Sequence, residues 1–168
     1  MIREYAPIGL IPAAWAVTFL TVVYPGLDTY WIEHMHYFIT GFLALFILTS
    51  WNEMNSGALK TWRNIILLGI FATGAGALSF NLEFYPHVLA SISVFYWLAA
   101  PGIASYYMSE DMGSYSKGYR FVGYAGITSL LLYLQGYILG SEIFKASAII
   151  IAAVSQSYSI LVASKLDS

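Results

Sequence analysis

Six stretches of about 20 mostly apolar residues make up most of this chain, and short polar segments separate them. A helix that crosses the roughly 30 Å hydrocarbon layer of a bilayer needs about this length, because its backbone polar groups must be satisfied within the segment. The predicted spans are residues 7–24, 35–51, 62–80, 86–107, 119–139 and 142–163. The sequence therefore predicts an all-α fold, a polytopic membrane bundle of six transmembrane helices that forms a single domain over residues 1–168.

The composition supports this class and excludes several others. The chain is 59% hydrophobic and 10% charged, whereas an ordinary soluble domain has about 25% charged residues. Seven Lys and Arg residues stand against nine Asp and Glu residues, which excludes the basic face of a nucleic-acid-binding protein. The absence of cysteine excludes disulfides, thiolate metal sites and cysteine nucleophiles. We expect a multi-pass protein integral to the cell membrane.

The basic residues predict the orientation, because Lys and Arg accumulate in short cytoplasmic loops. With a cytoplasmic amino terminus, six of the seven fall on the inner side, and Lys145 faces outward. The inner residues are Arg3, Lys60, Arg63, Lys117, Arg120 and Lys165. Both termini are therefore predicted to be cytoplasmic. Aromatic residues are expected at both interfaces, with Tyr24, Tyr30, Trp31, Tyr37 and Tyr85 outside and Trp51, Trp62, Tyr106, Tyr107 and Tyr119 inside.

Contacts between the helices are predicted from their small residues, which let helix backbones approach closely in lipid. Span three contains several small residues, and span six is rich in alanine. Gly136 and Gly140 form a G-x-x-x-G motif at the end of span five. The span-three residues are Gly69, Thr73, Gly74, Gly76 and Ala77. Near the start of span six, Lys145 follows Glu142 by three residues, and this spacing predicts an ion pair.

A cluster of ionisable residues at the predicted outer face is the main candidate site. Glu33 and His36 are three residues apart and Glu83 and His87 are four apart, so each pair can share a helix face. Carboxylate and imidazole groups from two helices could bind iron, manganese or zinc, with Glu33, His36, Glu83 and His87 as ligands. Alternatively, His36 and His87 could bind a haem axially. The plainer interpretation is that these are interfacial side chains, hydrated or hydrogen-bonded to loops.

One segment of the chain resembles a known family. The stretch Asn81-Leu82-Glu83-Phe84-Tyr85-Pro86-His87, followed by Ala90, Phe95 and a long apolar helix, resembles the fourth-helix region of the Frag/DRAM/Sfk group of six-helix membrane proteins. The resemblance covers about a quarter of the chain. It implies a functional His87 on the outer side and a role in membrane lipids, lipid asymmetry or membrane signalling.

Two function classes follow from these observations. The first is a non-catalytic integral membrane protein, either a lipid- or partner-binding bundle or a small subunit of a membrane complex, because the chain has no nucleophile motif and no soluble domain. The second is a membrane metalloprotein or haem oxidoreductase that uses the outer His and Glu residues. Whether the protein is an enzyme stays open. Expected partners are membrane lipids, other membrane subunits or a second copy of the chain, and no nucleic acid.

Overall fold

The fold was taken from a computed structural model, which describes the backbone of residues 2–24, 26–82 and 86–166 and the side chains of residues 9–24, 26–82 and 88–163. Within these residues the chain forms α-helices with no strand. The helices are α1 (Ile2–Val23), α2 (Thr29–Ser50), α3 (Gly57–Leu78), α4 (Pro86–Met108), α5 (Ser116–Leu139) and α6 (Glu142–Leu166). Two short 3₁₀ turns, Ser109–Asp111 and Gly113–Tyr115, connect α4 to α5. The predicted all-α class is confirmed.

Five helices, α2 to α6, are long and apolar enough to cross a membrane. The apolar part of α1 within the described side chains, Gly9–Val23, is shorter. Each predicted span coincides with one helix, but α2 and α3 begin five to six residues earlier than their spans. Asp28 caps α2 by accepting a hydrogen bond from the Tyr30 N–H at 2.9 Å, so the polar residues 29–34 belong to the helix.

The helices divide between two compact units. The first unit contains residues 1–26 and 98–168, which are α1, the later half of α4, α5 and α6. The second unit contains residues 27–97, which are α2, α3 and the earlier half of α4. Helix α4 therefore contributes to both units, and the boundary at Trp97 and Leu98 lies one turn before Pro101, the proline inside this helix.

The first unit is built on the close packing of α4 with α5 and of α6 with both α1 and α5. Gly102 and Gly126 meet where α4 crosses α5, and a Cβ atom built on Gly126 would lie 2.7 Å from the Gly102 Cα. Gly136 packs against the start of α6, at Ser141 and Lys145. The predicted ion pair is confirmed, with Lys145 Nζ 2.6 Å from Glu142 Oε1.

The second unit packs α2 against α3, and α3 against the start of α4. Tyr96 donates a hydrogen bond to the Ile65 carbonyl at 2.6 Å, and the Trp97 indole donates to Thr73 Oγ1 at 2.9 Å. Gly69 leaves room for the Trp97 ring, because a Cβ there would lie 2.4 Å from it. The small residues of span three thus make contacts within the chain, as predicted, although a Cβ on Gly74 would meet nothing within 4 Å.

Candidate functional site

Glu33, Tyr37 and Asn81 form a hydrogen-bonded cluster where α2 begins and α3 has just ended. The Asn81 amide donates to Glu33 Oε1 at 2.9 Å and to the Tyr37 hydroxyl at 2.6 Å. Tyr37, one turn after Glu33, donates its own hydroxyl proton to the same carboxylate oxygen at 2.9 Å. The Glu33 carboxylate therefore accepts from two neutral donors, and the Asn81 amide ties the start of α2 to the residues just after α3.

His36 lies beside this cluster and faces α3. Its Nδ1 is 2.8 Å from the Ile32 carbonyl oxygen, which can only accept, so Nδ1 carries a proton and Nε2 is the nitrogen left for an acceptor or ligand role. The ring packs against Phe80, with centroids 5.5 Å apart. A Cβ on Gly76 would lie 2.9 Å from His36 Cδ2 and 3.0 Å from Nε2. The imidazole thus rests directly on the backbone of α3.

The predicted metal and haem sites are only partly covered by the described residues. Among those residues, no group of three His, Asp or Glu side chains is placed to hold a metal ion. Glu33 is engaged by Tyr37 and Asn81, while His36 keeps Nε2 as the nitrogen that could ligate. Glu83 and the side chain of His87 lie outside the described residues. The four-residue metal site and the His36–His87 haem site therefore stay predictions.

An exposed aromatic surface surrounds the start of α2. Tyr30, Trp31 and Tyr37 are all exposed, and the Tyr30 ring lies 3.9 Å from the His34 ring, centroid to centroid. His34 Nδ1 bonds the Tyr30 carbonyl at 2.8 Å. Exposed rings with polar tips at a helix end are typical of the aromatic belts of membrane proteins. The outer interfacial position of the three aromatic residues stays a prediction.

Arg63 forms a second candidate site at the opposite end of the second unit, where α3 begins. Its side chain is only 8% exposed. The guanidinium carbon lies 4.4 Å from the centre of the Trp51 ring, and one terminal nitrogen donates to Asn55 Oδ1 at 2.8 Å. Within the part of the chain that the structure describes, its Nε has no hydrogen-bond partner. From sequence alone, Arg63 is predicted only as one of the inner-side basic residues.

Two aromatic residues that were predicted at the inner interface are buried. Trp62 is 9% exposed and Tyr119 is fully buried. The Tyr119 hydroxyl donates to the Ser159 carbonyl at 3.1 Å and so joins α5 to α6. These two rings turn toward neighbouring helices, a direction that composition does not record, whereas Trp51, Tyr106 and Tyr107 are exposed. The position of all five at the inner interface stays a prediction.

The interior of the first unit contains polar side chains that join its helices. The Trp15 indole N–H of α1 donates to Gln156 Oε1 of α6 at 3.0 Å, and both side chains are buried. Ser105 and Ser129 are also fully buried, and their hydroxyls have no partner among the described residues. Some polar residues of the spans therefore lie inside this unit, and the bond between Trp15 and Gln156 is of the kind that joins membrane helices, whereas Gln135 is exposed.

Comparison with known proteins returned no relative. No family model, no curated protein and no solved structure matches this chain. The resemblance to the Frag/DRAM/Sfk group stays a prediction.

Proposed function

We propose that this protein is a non-catalytic integral membrane protein of six transmembrane helices that binds membrane lipids along its helix surfaces and at its helix ends. The observation that carries this proposal is the distribution of side chains. Many large apolar side chains are exposed along α2 to α6, while the buried core combines apolar side chains with several hydroxylic ones. A soluble protein of this size would bury more of these large apolar side chains, since burial of apolar surface is its main source of stability.

The outward side chains are large and well exposed. Leu48, Phe71 and Ile143 are 77%, 71% and 77% exposed. The buried polar residues are mostly hydroxylic: Ser50, Thr73, Ser93, Ser105, Ser109, Ser129, Ser155 and Ser159. In water such apolar exposure on several helices would drive aggregation. In a bilayer the same surface is in contact with acyl chains, and small hydroxylic residues permit the helix contacts that lipid allows.

In the proposed topology α1 also crosses the membrane, which brings the number of spans to six, and both termini lie in the cytoplasm. Its support is the six-to-one division of the basic residues and the helical backbone of α1 from Ile2 to Val23. With this topology the aromatic surface around Tyr30 and Trp31 would lie at the outer headgroup level, and Arg63 at the inner one. Lipid headgroups are therefore the expected partners at both ends of the second unit.

Membrane extraction followed by lipid analysis tests the proposal. We expect the expressed protein to stay in the membrane pellet after alkaline carbonate washing and to enter solution only with detergent. After purification in a mild uncharged detergent, phospholipid should remain bound in a reproducible ratio to protein. A soluble or peripheral control protein of similar mass should be released by the wash. Release of this chain by carbonate, or complete loss of lipid in mild detergent, would contradict the proposal.

A further inference from the structure

The positive charge of Arg63 is not balanced by a negative charge among the contacts described for it. The guanidinium is buried, and its described contacts are the neutral Asn55 amide and the Trp51 ring. Withdrawing a charge from water is costly unless it is paired. Neither contact supplies a negative charge. Glu53 lies in the same connection and has an interaction of its own, and the contacts described for Arg63 are those with Asn55 and Trp51.

The start of α3 adds to this positive field. Asn55 precedes the helix, so the Arg63 side chain folds back toward the first turn of α3 to reach it. The first N–H groups of a helix lack partners within the helix and carry a partial positive charge. Ser56, the N-cap residue, makes no capping hydrogen bond with its side chain. A buried cation thus lies beside the positive end of a helix dipole.

Two buried donors in this turn have no described acceptor. Arg63 Nε and Trp62 Nε1 are both inaccessible to solvent and without a hydrogen-bond partner among the described residues. Buried donors in folded proteins are nearly always paired, so each of these orphan donors needs an explanation. Both orphans are donors, so the group that this turn lacks is a hydrogen-bond acceptor, and the unbalanced charge of Arg63 favours an anionic one.

The depth of the guanidinium indicates the chemistry of that ligand. Arg63 lies six residues into α3, but its hydrogen bond to Asn55 brings the charge back to the level where the helix begins. In a spanning helix this level is the headgroup region, where phosphates are abundant, and a long basic side chain commonly reaches it in this way. The planar guanidinium also matches the oxygens of a phosphate group.

We propose that Arg63, held between Trp51 and Asn55 at the start of α3, binds the phosphate group of an anionic ligand. The proposal rests on the proposed membrane function, because it takes the start of α3 to lie at the membrane surface. Two sources have the same chemistry, the headgroup of an anionic phospholipid and free inorganic phosphate. The experiment separates them.

The test is the thermal stability of the full chain after lipid removal in an uncharged detergent. Phosphatidylglycerol in mixed micelles is added in one arm, and inorganic phosphate at matched ionic strength in the other. A ligand at 100 times its Kd should raise the Tm by about 5–10 °C. A rise with the lipid alone identifies a headgroup site, and a comparable rise with phosphate alone identifies a free-anion site. If neither phosphatidylglycerol nor phosphate raises the Tm of the wild-type protein, the proposal is overturned, and no variant is needed for this conclusion.

Substitutions locate the effect. R63Q should lose the Tm rise, whereas K117Q, which removes an exposed basic residue at the start of α5, should keep it. N55D places a carboxylate against the guanidinium, so it should raise the Tm without ligand and abolish the response to ligand. Because N55D supplies a counter-charge, it is informative even where R63Q does not fold. A full response in N55D or R63Q overturns the proposal.

The proposed membrane function does not depend on the proposed phosphate site at Arg63, so the experiment can overturn the site alone. In that case the chain stays in the membrane after carbonate washing and retains lipid, but R63Q and wild type respond to phosphatidylglycerol alike. Failure of the membrane function itself appears in the carbonate wash, before any ligand is added. The two results are therefore distinguishable.

Discussion

At the scale of single residues, the contact between His36 and Gly76 shows why one glycine is required where another is not. The His36 ring occupies the space that a Cβ on Gly76 would fill. That Cβ would also lie 2.9 Å from the Cβ of Ser93. Gly74, two residues earlier in the same helix, has nothing within 4 Å of a built Cβ. Two glycines of one helix therefore have opposite expected tolerance to alanine.

We predict that Gly76→Ala destabilises the protein by about 1–3 kcal/mol, the usual range for inserting a methyl group into a packed contact. Gly74→Ala is the matched control. It should be neutral or should stabilise by about 0.5–1 kcal/mol, since alanine is the better helix former. Unfolding of both variants in detergent micelles measures the difference. Equal stability of the two variants would show that His36 does not pack on α3 as described.

The candidate site could be predicted from the sequence only in part. The pairing of carboxylate and imidazole groups near the start of α2 was visible from spacing, and Glu33 and His36 do lie there. Asn81, however, is 48 residues from Glu33 in the sequence. No local pattern indicates that the Asn81 amide donates hydrogen bonds to Glu33 and Tyr37. Arg63 carried a usable signal, since an arginine within an apolar span needs a partner, but its burial against Trp51 depends on tertiary structure.

At the scale of helices, the crossing of α4 and α5 depends on two facing glycines. A Cβ on Gly126 would meet the Gly102 Cα at 2.7 Å, and a Cβ on Gly102 would lie 2.8 Å from the Gly126 Cα. Backbone atoms cannot move aside as a flexible side chain can. The helices would have to separate, which would also disturb the surrounding contacts.

We predict that Gly126→Ala lowers the free energy of unfolding by at least about 1–3 kcal/mol, because the overlap is with backbone. Gly41→Ala in α2 is the control, since a Cβ there meets nothing within 4 Å. Both variants can be compared by thermal unfolding at the same detergent concentration. A Gly126→Ala variant as stable as Gly41→Ala would contradict the described crossing.

The hydrogen bond between Trp15 and Gln156 joins α1 to α6 and offers a test of that packing. Trp15→Phe removes the indole donor while keeping an aromatic ring, and Gln156→Leu removes the acceptor. In a double-mutant cycle we predict a coupling of about 0.6–1.7 kcal/mol, the range found for such bonds between membrane helices. Additivity within about 0.3–0.5 kcal/mol would indicate that the two side chains do not interact.

The helix ends show what the sequence patterns missed. Apolar runs identified every helix, but the predicted second span began at residue 35, after the ionisable residues Glu33 and His34, whereas α2 begins at Thr29. Asp28 provides the actual N-cap, and an Asp immediately before an aromatic-rich run is a usable helix-start signal. Hydropathy reports where a helix is in contact with lipid, whereas capping reports where the backbone becomes helical.

At the scale of the whole molecule, the account depends on the apolar exterior of the helices. The sequence predicted this class well, because span length and the low charge content follow from the thickness and polarity of a bilayer. Orientation rests on the distribution of Lys and Arg alone. The central claim is therefore that the helices cross a membrane and that successive connections lie on alternate sides.

Single-cysteine labelling tests this claim most directly, because the chain has no cysteine of its own. Cysteine is introduced at Thr29, the first residue of α2, or at Asn52, Ser114 or Ser141, which lie in the connections after α2, α4 and α5, in sealed membrane vesicles treated with an impermeant maleimide. The account predicts that positions 29 and 141 react alike and that positions 52 and 114 form the opposite group until the vesicles are opened. Uniform labelling of all four positions in sealed vesicles would contradict a membrane-spanning bundle.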